Sequence, residues 1–152
     1  MKWLRKDLEK YVQAKEYVDT VIIPVQMFQV VDENQLEKDS FDSEVLAIFA
    51  NEIEKELSGR VMLAPAYTYV KGADLGREAE RLNEWIKHLK QQPFKHIFVL
   101  TLDMQWKKSE ASLDANLLWL PGLKPTNLQS QEAVQVIRGQ IEQISELIRS
   151  YW

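Results

Sequence analysis

The chain has 152 residues, 45% of them hydrophobic and 28% charged, which fits one globular domain spanning residues 1–152. A chain of this length buries roughly 70% of its unfolded surface and folds without a disulfide or a metal. A net charge of −4 disfavours nonspecific nucleic-acid binding, and the absence of Cys excludes disulfides, thiolate metal sites and cysteine nucleophiles.

Leu4, Leu8, Tyr11 and Val12 follow helical spacing with charges between them, so residues 5–17 are expected to be a helix. Charges interrupt every apolar run at this end, unlike a signal or transit peptide. The β-branched run Val21-Ile22-Ile23 predicts a buried strand over residues 19–25, stopped by Pro24. Residues 26–40 read as a long polar connection. The next helix is expected to start near Asp42, a good N-cap, with Val45, Leu46, Phe49, Ile53 and Leu57 inward and Gly59 after its end.

Residues 61–65 predict a second strand, and residues 66–76 a loop. A helix over 77–91 turns Leu82, Trp85, Ile86 and Leu89 inward and stops before Pro93. Residues 96–102 give the clearest strand signal, and residues 116–120 a fourth strand ended by Pro121-Gly122. The last helix, over 129–150, carries Val134, Ile137, Ile141, Ile144, Ile148 and Tyr151 at alternating steps of three and four.

Apolar strands alternating with helices predict an α/β fold: a three-layer αβα sandwich, Rossmann-like, around a mostly parallel sheet of about four strands. Only some 13 residues separate the third and fourth strands. The fourth strand is therefore either antiparallel or reached by a tight irregular crossover. No apolar run is long enough to cross a bilayer, so no membrane insertion is expected, and the cytoplasm is the expected compartment.

Open parallel sheets bind ligands beyond the carboxyl ends of their strands. That rule selects Gln26, Met27 and Gln29 after the first strand, and Tyr67, Thr68 and Tyr69 after the second. Thr101, Asp103, Gln105 and Trp106 follow the third. These residues compose a polar and aromatic lining suited to a small molecule.

The chemical motifs are thin. None of the five glycines forms a dinucleotide or phosphate-binding loop, and there is no G-x-S-x-G elbow, so no cofactor is expected. Residues 71–77, with Lys71, Gly72, Gly76 and Arg77, lie where a loop enters a helix and holds anions in some folds, although an ordinary turn has the same composition. His88 falls inside a helix and His96 at the far end of the sheet, where neither serves the expected site. Asp32, Glu33, Asp39, Asp42 and Asp103 are the carboxylates available to a divalent cation, and a solvated acidic loop accounts for them equally; no metal is expected. Asp103 is the one carboxylate at a strand end, placed for acid–base work or for capping a turn.

Ala14-Lys15-Glu16-Tyr17-Val18-Asp19-Thr20-Val21-Ile22-Ile23-Pro24, after Met1-Lys2-Trp3, resembles the start of the YpiF-like family of bacterial proteins, and the likeness runs through most of the chain. That family brings no assigned reaction. The spacing of strands and helices over 19–103 also resembles the first half of creatininase-type amidohydrolases, which implies a creatininase-like fold. By position, that family's metal-ligating Glu and His would fall on Gln29 and Val31, its Asp on Asp42 and its later His near Asp103. The resemblance thus implies a shortened member without the metal centre.

Three functions follow as expectations. The first is a noncatalytic module for a small ligand or a protein. The second is a hydrolase using Asp103 with Gln29, Tyr67 or Tyr69. The third is a homodimer formed through the last helix.

Overall fold

A computed structural model describes all 152 residues. Helix α1 (Arg5–Ala14) and a 3₁₀ turn lead into strand β1 (Thr20–Phe28). Then come α2 (Leu36–Glu56), β2 (Val61–Leu63), β3 (Tyr67–Val70), α3 (Leu75–Leu89), β4 (His96–Thr101), β5 (Asn116–Trp119) and α4 (Gln131–Arg149). All five strands are parallel, in the order β2-β1-β4-β5, with β3 following β2 along the same side of β1.

Strand alternation divides the core. Ile22, Phe98, Leu100 and Leu118 pack on one face against α2 and α4. Val21, Ile23, Val25, Ile97 and Val99 pack on the other with α1, α3, Trp106 and Leu113. The expected three-layer α/β sandwich is therefore present, with five strands rather than about four.

The extra strand and the longer β1 have one cause. Pro24 does not stop β1, which continues to Phe28. The backbone groups of Thr20 and Ile22 face β2, through Thr20 N to Arg60 O and Ala64 N to Ile22 O. By the same alternation, Pro24 faces the break between β2 and β3 at residues 64–66. Its missing N–H falls where the ladder on this side is already interrupted, so β1 runs through the proline. β1 then pairs Val25–Phe28 with β3 across residues expected to be loop.

The other boundaries also shift. α2 begins at Leu36, not Asp42, so the long polar connection shrinks to a short one after Phe28. No side chain caps that start; Asp42 lies inside the helix and accepts from Lys38 Nζ at 2.8 Å. The β4–β5 crossover is the tight irregular kind, a 3₁₀ stretch over Met104–Ser112, and β5 is parallel. On α4, Ile137, Ile141, Ile144 and Ile148 are buried in the chain's own core, while Val134 is half exposed. No helix is long and apolar enough to cross a membrane.

Candidate functional site

The chain leaves β1 by α2 toward β2 on one side, and leaves β3 by α3 toward β4 on the other. Helices α2 and α3 lie on opposite faces of the sheet. The winding direction therefore reverses between β1 and β4, and a crevice opens at the carboxyl ends of those strands. Pairing of β1 with β4 ends at Val25 and Thr101, yet β1 runs on to Phe28. Beyond that point the edge of β1 that had faced β4 borders the crevice instead.

The crevice holds a cleft of about 300 Å³. Its walls are the end of β1, the first three turns of α2, the loop after β3 and the segment after β4. Of the residues selected from sequence, Gln26, Met27, Tyr69, Thr101, Asp103 and Gln105 line it. Gln29, Tyr67, Thr68 and Trp106 do not.

Alternation in β3 explains part of that division. Tyr67 and Tyr69 turn into the α3 face, and Thr68 turns outward to accept from Gln26 Nε2 at 2.9 Å. The Tyr67 hydroxyl donates to the buried carboxylate of Glu78, and Trp85 lies edge-on to its ring. Burial and then the Glu78 carboxylate push the Tyr67 phenol up to about 12. Trp106 is fully buried beneath the cleft with its ring edge-on to Tyr69 at 5.5 Å. Its indole N–H has no acceptor in hydrogen-bonding geometry. Gln29 closes the turn after β1 instead, accepting from Asp32 N at 2.8 Å and donating to Asp32 O and to Asp39 Oδ2.

Asp103 is held from two sides. Its Oδ1 accepts from Gln105 N at 2.9 Å, which caps the 3₁₀ stretch, and its Oδ2 accepts from the Tyr69 hydroxyl at 2.5 Å. Burial, then the bond to Asp103, raise the Tyr69 phenol far above its ordinary range. Thr101, fully buried, accepts from Asp103 N through Oγ1 at 3.1 Å.

The charged wall of the cleft comes from α2 and the loop after β3, and strand-end reasoning missed most of it. Lys38 pairs with Asp42 at 2.8 Å, and Lys71 with the buried Asp39 at 3.0 Å. Lys38 lies in the expected polar connection, and only the early start of α2 carries it to the cleft. Of residues 71–77, Lys71, Gly72, Ala73 and Leu75 reach the cleft. Gly72 adopts φ +86 in the turn that brings them there. Arg77 is exposed beside Asp74, whose side chain caps α3 by accepting from Gly76 N.

Of the five carboxylates, Asp39, Asp42 and Asp103 line the cleft and Asp32 and Glu33 do not, and no three His, Asp or Glu side chains are grouped closely enough to hold a metal ion. His88 is exposed, and His96 lies at the opposite end of the sheet against Tyr151. The creatininase-type layout gains no support at its key positions. Val31 is 88% exposed, Gln29 is tied to its own turn, and Asp42 is paired with Lys38.

Comparison with known proteins gives the lineage. The chain is 32% identical over 114 residues to the uncharacterized protein YpiF of Bacillus subtilis (strain 168), covering 73% of this chain and 72% of that one. A crystal structure of a sigma-54 interaction domain protein from Enterococcus faecalis covers 90% of this chain and 98% of its own, with 12% identity and a TM-score of 0.41, and at that distance the likeness carries no argument. A family model described as a protein of unknown function (DUF2487) matches residues 9–152, and the chain belongs to that family.

Proposed function

We propose that this protein is a noncatalytic binding module that takes a small polar ligand into the cleft between the ends of β1 and β4. One observation carries the reading. The winding reversal and a ligand-sized hollow coincide, and the hollow collects Lys38, Lys71, Asp39, Gln26, Ser43 and Thr101 from separate elements. Binding rather than catalysis is favoured by Asp103. One oxygen caps the segment after β4 and the other holds the Tyr69 hydroxyl, so both serve the local fold. No second titratable group stands beside Asp103 as an acid–base partner other than that tyrosine, whose phenol is raised far from neutral pH.

The test is a thermal-shift screen of chemically diverse small molecules against the wild type and Lys71→Ala. A ligand present at many times its dissociation constant should raise the wild-type midpoint by about 2–4 °C and the variant's by less. A library that stabilises neither protein, or both equally, would overturn the reading. Turnover of any amide or ester that disappears in Asp103→Asn would replace it with the hydrolase. The reading includes the cytoplasm as the compartment, and recovery of the protein in another cell fraction would correct that part.

A further inference from the structure

Asp39 also borders a neighbouring hollow. A second hollow of about 590 Å³ lies between the end of β1 and the outer turns of α2, and the two share Met27, Asp39 and Ser43. Their chemistries differ. The outer hollow draws apolar surface from Met27, Phe28, Val30, Leu36 and Ala47. Phe28, at the end of the stretch of β1 that outruns β4, and Val30, in the turn that follows, are more than half exposed there. The polar side chains around this hollow are largely engaged. Ser40 Oγ donates to Leu36 O and Ser43 Oγ to Gln26 Oε1, both at 2.6 Å, while the Gln29 amide is tied to Asp32. The exposed Glu44 is the one polar side chain of this lining without a partner, so a group lying along Met27, Phe28, Leu36 and Ala47 meets mainly apolar contact, and the group that fits there is apolar.

The inner cleft is the reverse. Lys38 and Lys71 each donate one of three ammonium protons to an aspartate. Asp42 and Asp39 each accept these bonds through Oδ2. Ammonium donors and carboxylate acceptors thus remain open side by side. Two lysines and three aspartates line the cleft, a balance that suits a ligand carrying both charges better than a strong anion or cation.

We infer that the adjoining hollows bind a free apolar α-amino acid. Its ammonium lies against Asp39 and Asp42, its carboxylate against Lys38 and Lys71, and its side chain along Met27, Phe28, Leu36 and Ala47. This rests on the reading of the cleft as a ligand site and adds the ligand's class to it.

Calorimetry tests it with L-phenylalanine and L-leucine against N-acetyl-L-phenylalanine, L-phenylalaninamide and phosphocholine. Both amino acids should bind saturably, and blocking either charged end should weaken binding by about tenfold or more. Phosphocholine, a zwitterion with a lipid-headgroup source, should bind more weakly than phenylalanine. Ala47→Glu, on the exposed surface of α2, should also lose about tenfold for phenylalanine while its melting midpoint stays within about 2 °C of the wild type. The inference is overturned if neither amino acid binds below about 10 mM, or if the blocked forms bind as well as the free ones. Tighter binding of phosphocholine, or no loss in a folded Ala47→Glu protein, would overturn it too. A Lys71-dependent hit of another class in the thermal screen, with these amino acids inert, would remove this inference and leave the cleft as the site. An empty screen would remove both.

Discussion

The two ends of the sheet use charge in opposite ways. At the amino end, Asp19 accepts from Arg60 Nε and Nη2 at 2.9 Å each, and from Thr20 Oγ1 at the same distance. Thr20 in turn accepts from Trp152 Nε1 at 2.8 Å, and the Trp152 ring lies 4.1 Å from the Arg60 guanidinium. The Met1 ammonium is similarly closed off by Glu54 and by Val61 O. At the carboxyl end, Lys38 and Lys71 each hold an aspartate by a single contact and keep their remaining protons. Charge at a strand end therefore does not mark a site. Bonding capacity left over after the fold has taken its share does.

The contrast is sharpest when its support is removed. Trp106→Ala deletes a fully buried indole under Tyr69 and should lower stability by about 3–5 kcal/mol, measured by urea denaturation. A loss under about 1 kcal/mol would mean that the rim does not rest on this side chain.

The closed end should give a smaller and pH-dependent effect. Burial opposes ionisation of Asp19, but the hydrogen bonds from Arg60 and Thr20 outweigh it and hold the carboxyl below its usual range. Its contribution is then complete above the unfolded value of about 3.9 and fades as pH falls through the lower folded value. Asp19→Asn should cost about 1–2 kcal/mol at neutral pH, discounted for the partly exposed Arg60, and less at about pH 2. Equal losses at both pH values would contradict the ion pair as the cause.

The tyrosines under the rim bear on alkaline behaviour. Burial and carboxylate neighbours raise Tyr67 to about 12 and Tyr69 further. A raised phenol contributes fully below the ordinary value of about 10 and loses that contribution as pH climbs through the folded value. Absorbance titration should show at least two of the five tyrosines still protonated at about pH 11, burial raising Tyr11 as well, and exposure by urea should restore ordinary ionisation. The smallest effect belongs to the open end. Lys38→Ala should change stability by less than about 0.5 kcal/mol, because that single-contact pair is solvent-accessible, and Lys71→Ala by no more than about 1 kcal/mol, because the buried Asp39 carboxylate keeps Gln29 as a partner. A loss above about 1 kcal/mol would make these pairs structural and remove the contrast between the ends.

The layers were legible because β-branched runs and helical stripes report burial directly. Ile22, Val99, Phe49 and Ile86 are all inside as their patterns require. Three features were hidden for local reasons. Pro24 reads as a stop unless the break between β2 and β3 is known, and that break is a tertiary fact. Leu36 starts α2 with no capping side chain, so nothing at that position announces it. Tyr67–Val70 is four residues directly after a proline and a short linker, although its buried–exposed alternation is the signature of a strand. The site was legible where it depends on strand ends, as at Gln26, Thr101 and Asp103. It was illegible at Lys38, which belongs to it only because α2 starts early, while Asp42 reads from sequence as a cap or a cation ligand and not as the partner of Lys38.

Amide chemical-shift mapping of the folded chain during titration with a stabilising small molecule tests the difference between the two ends most directly. The account predicts shifts gathered at residues 25–27, 38–43, 69–75 and 101–105, with 19–20, 60, 96 and 151–152 unmoved. Shifts gathered at the amino end, or spread evenly over both, would contradict it.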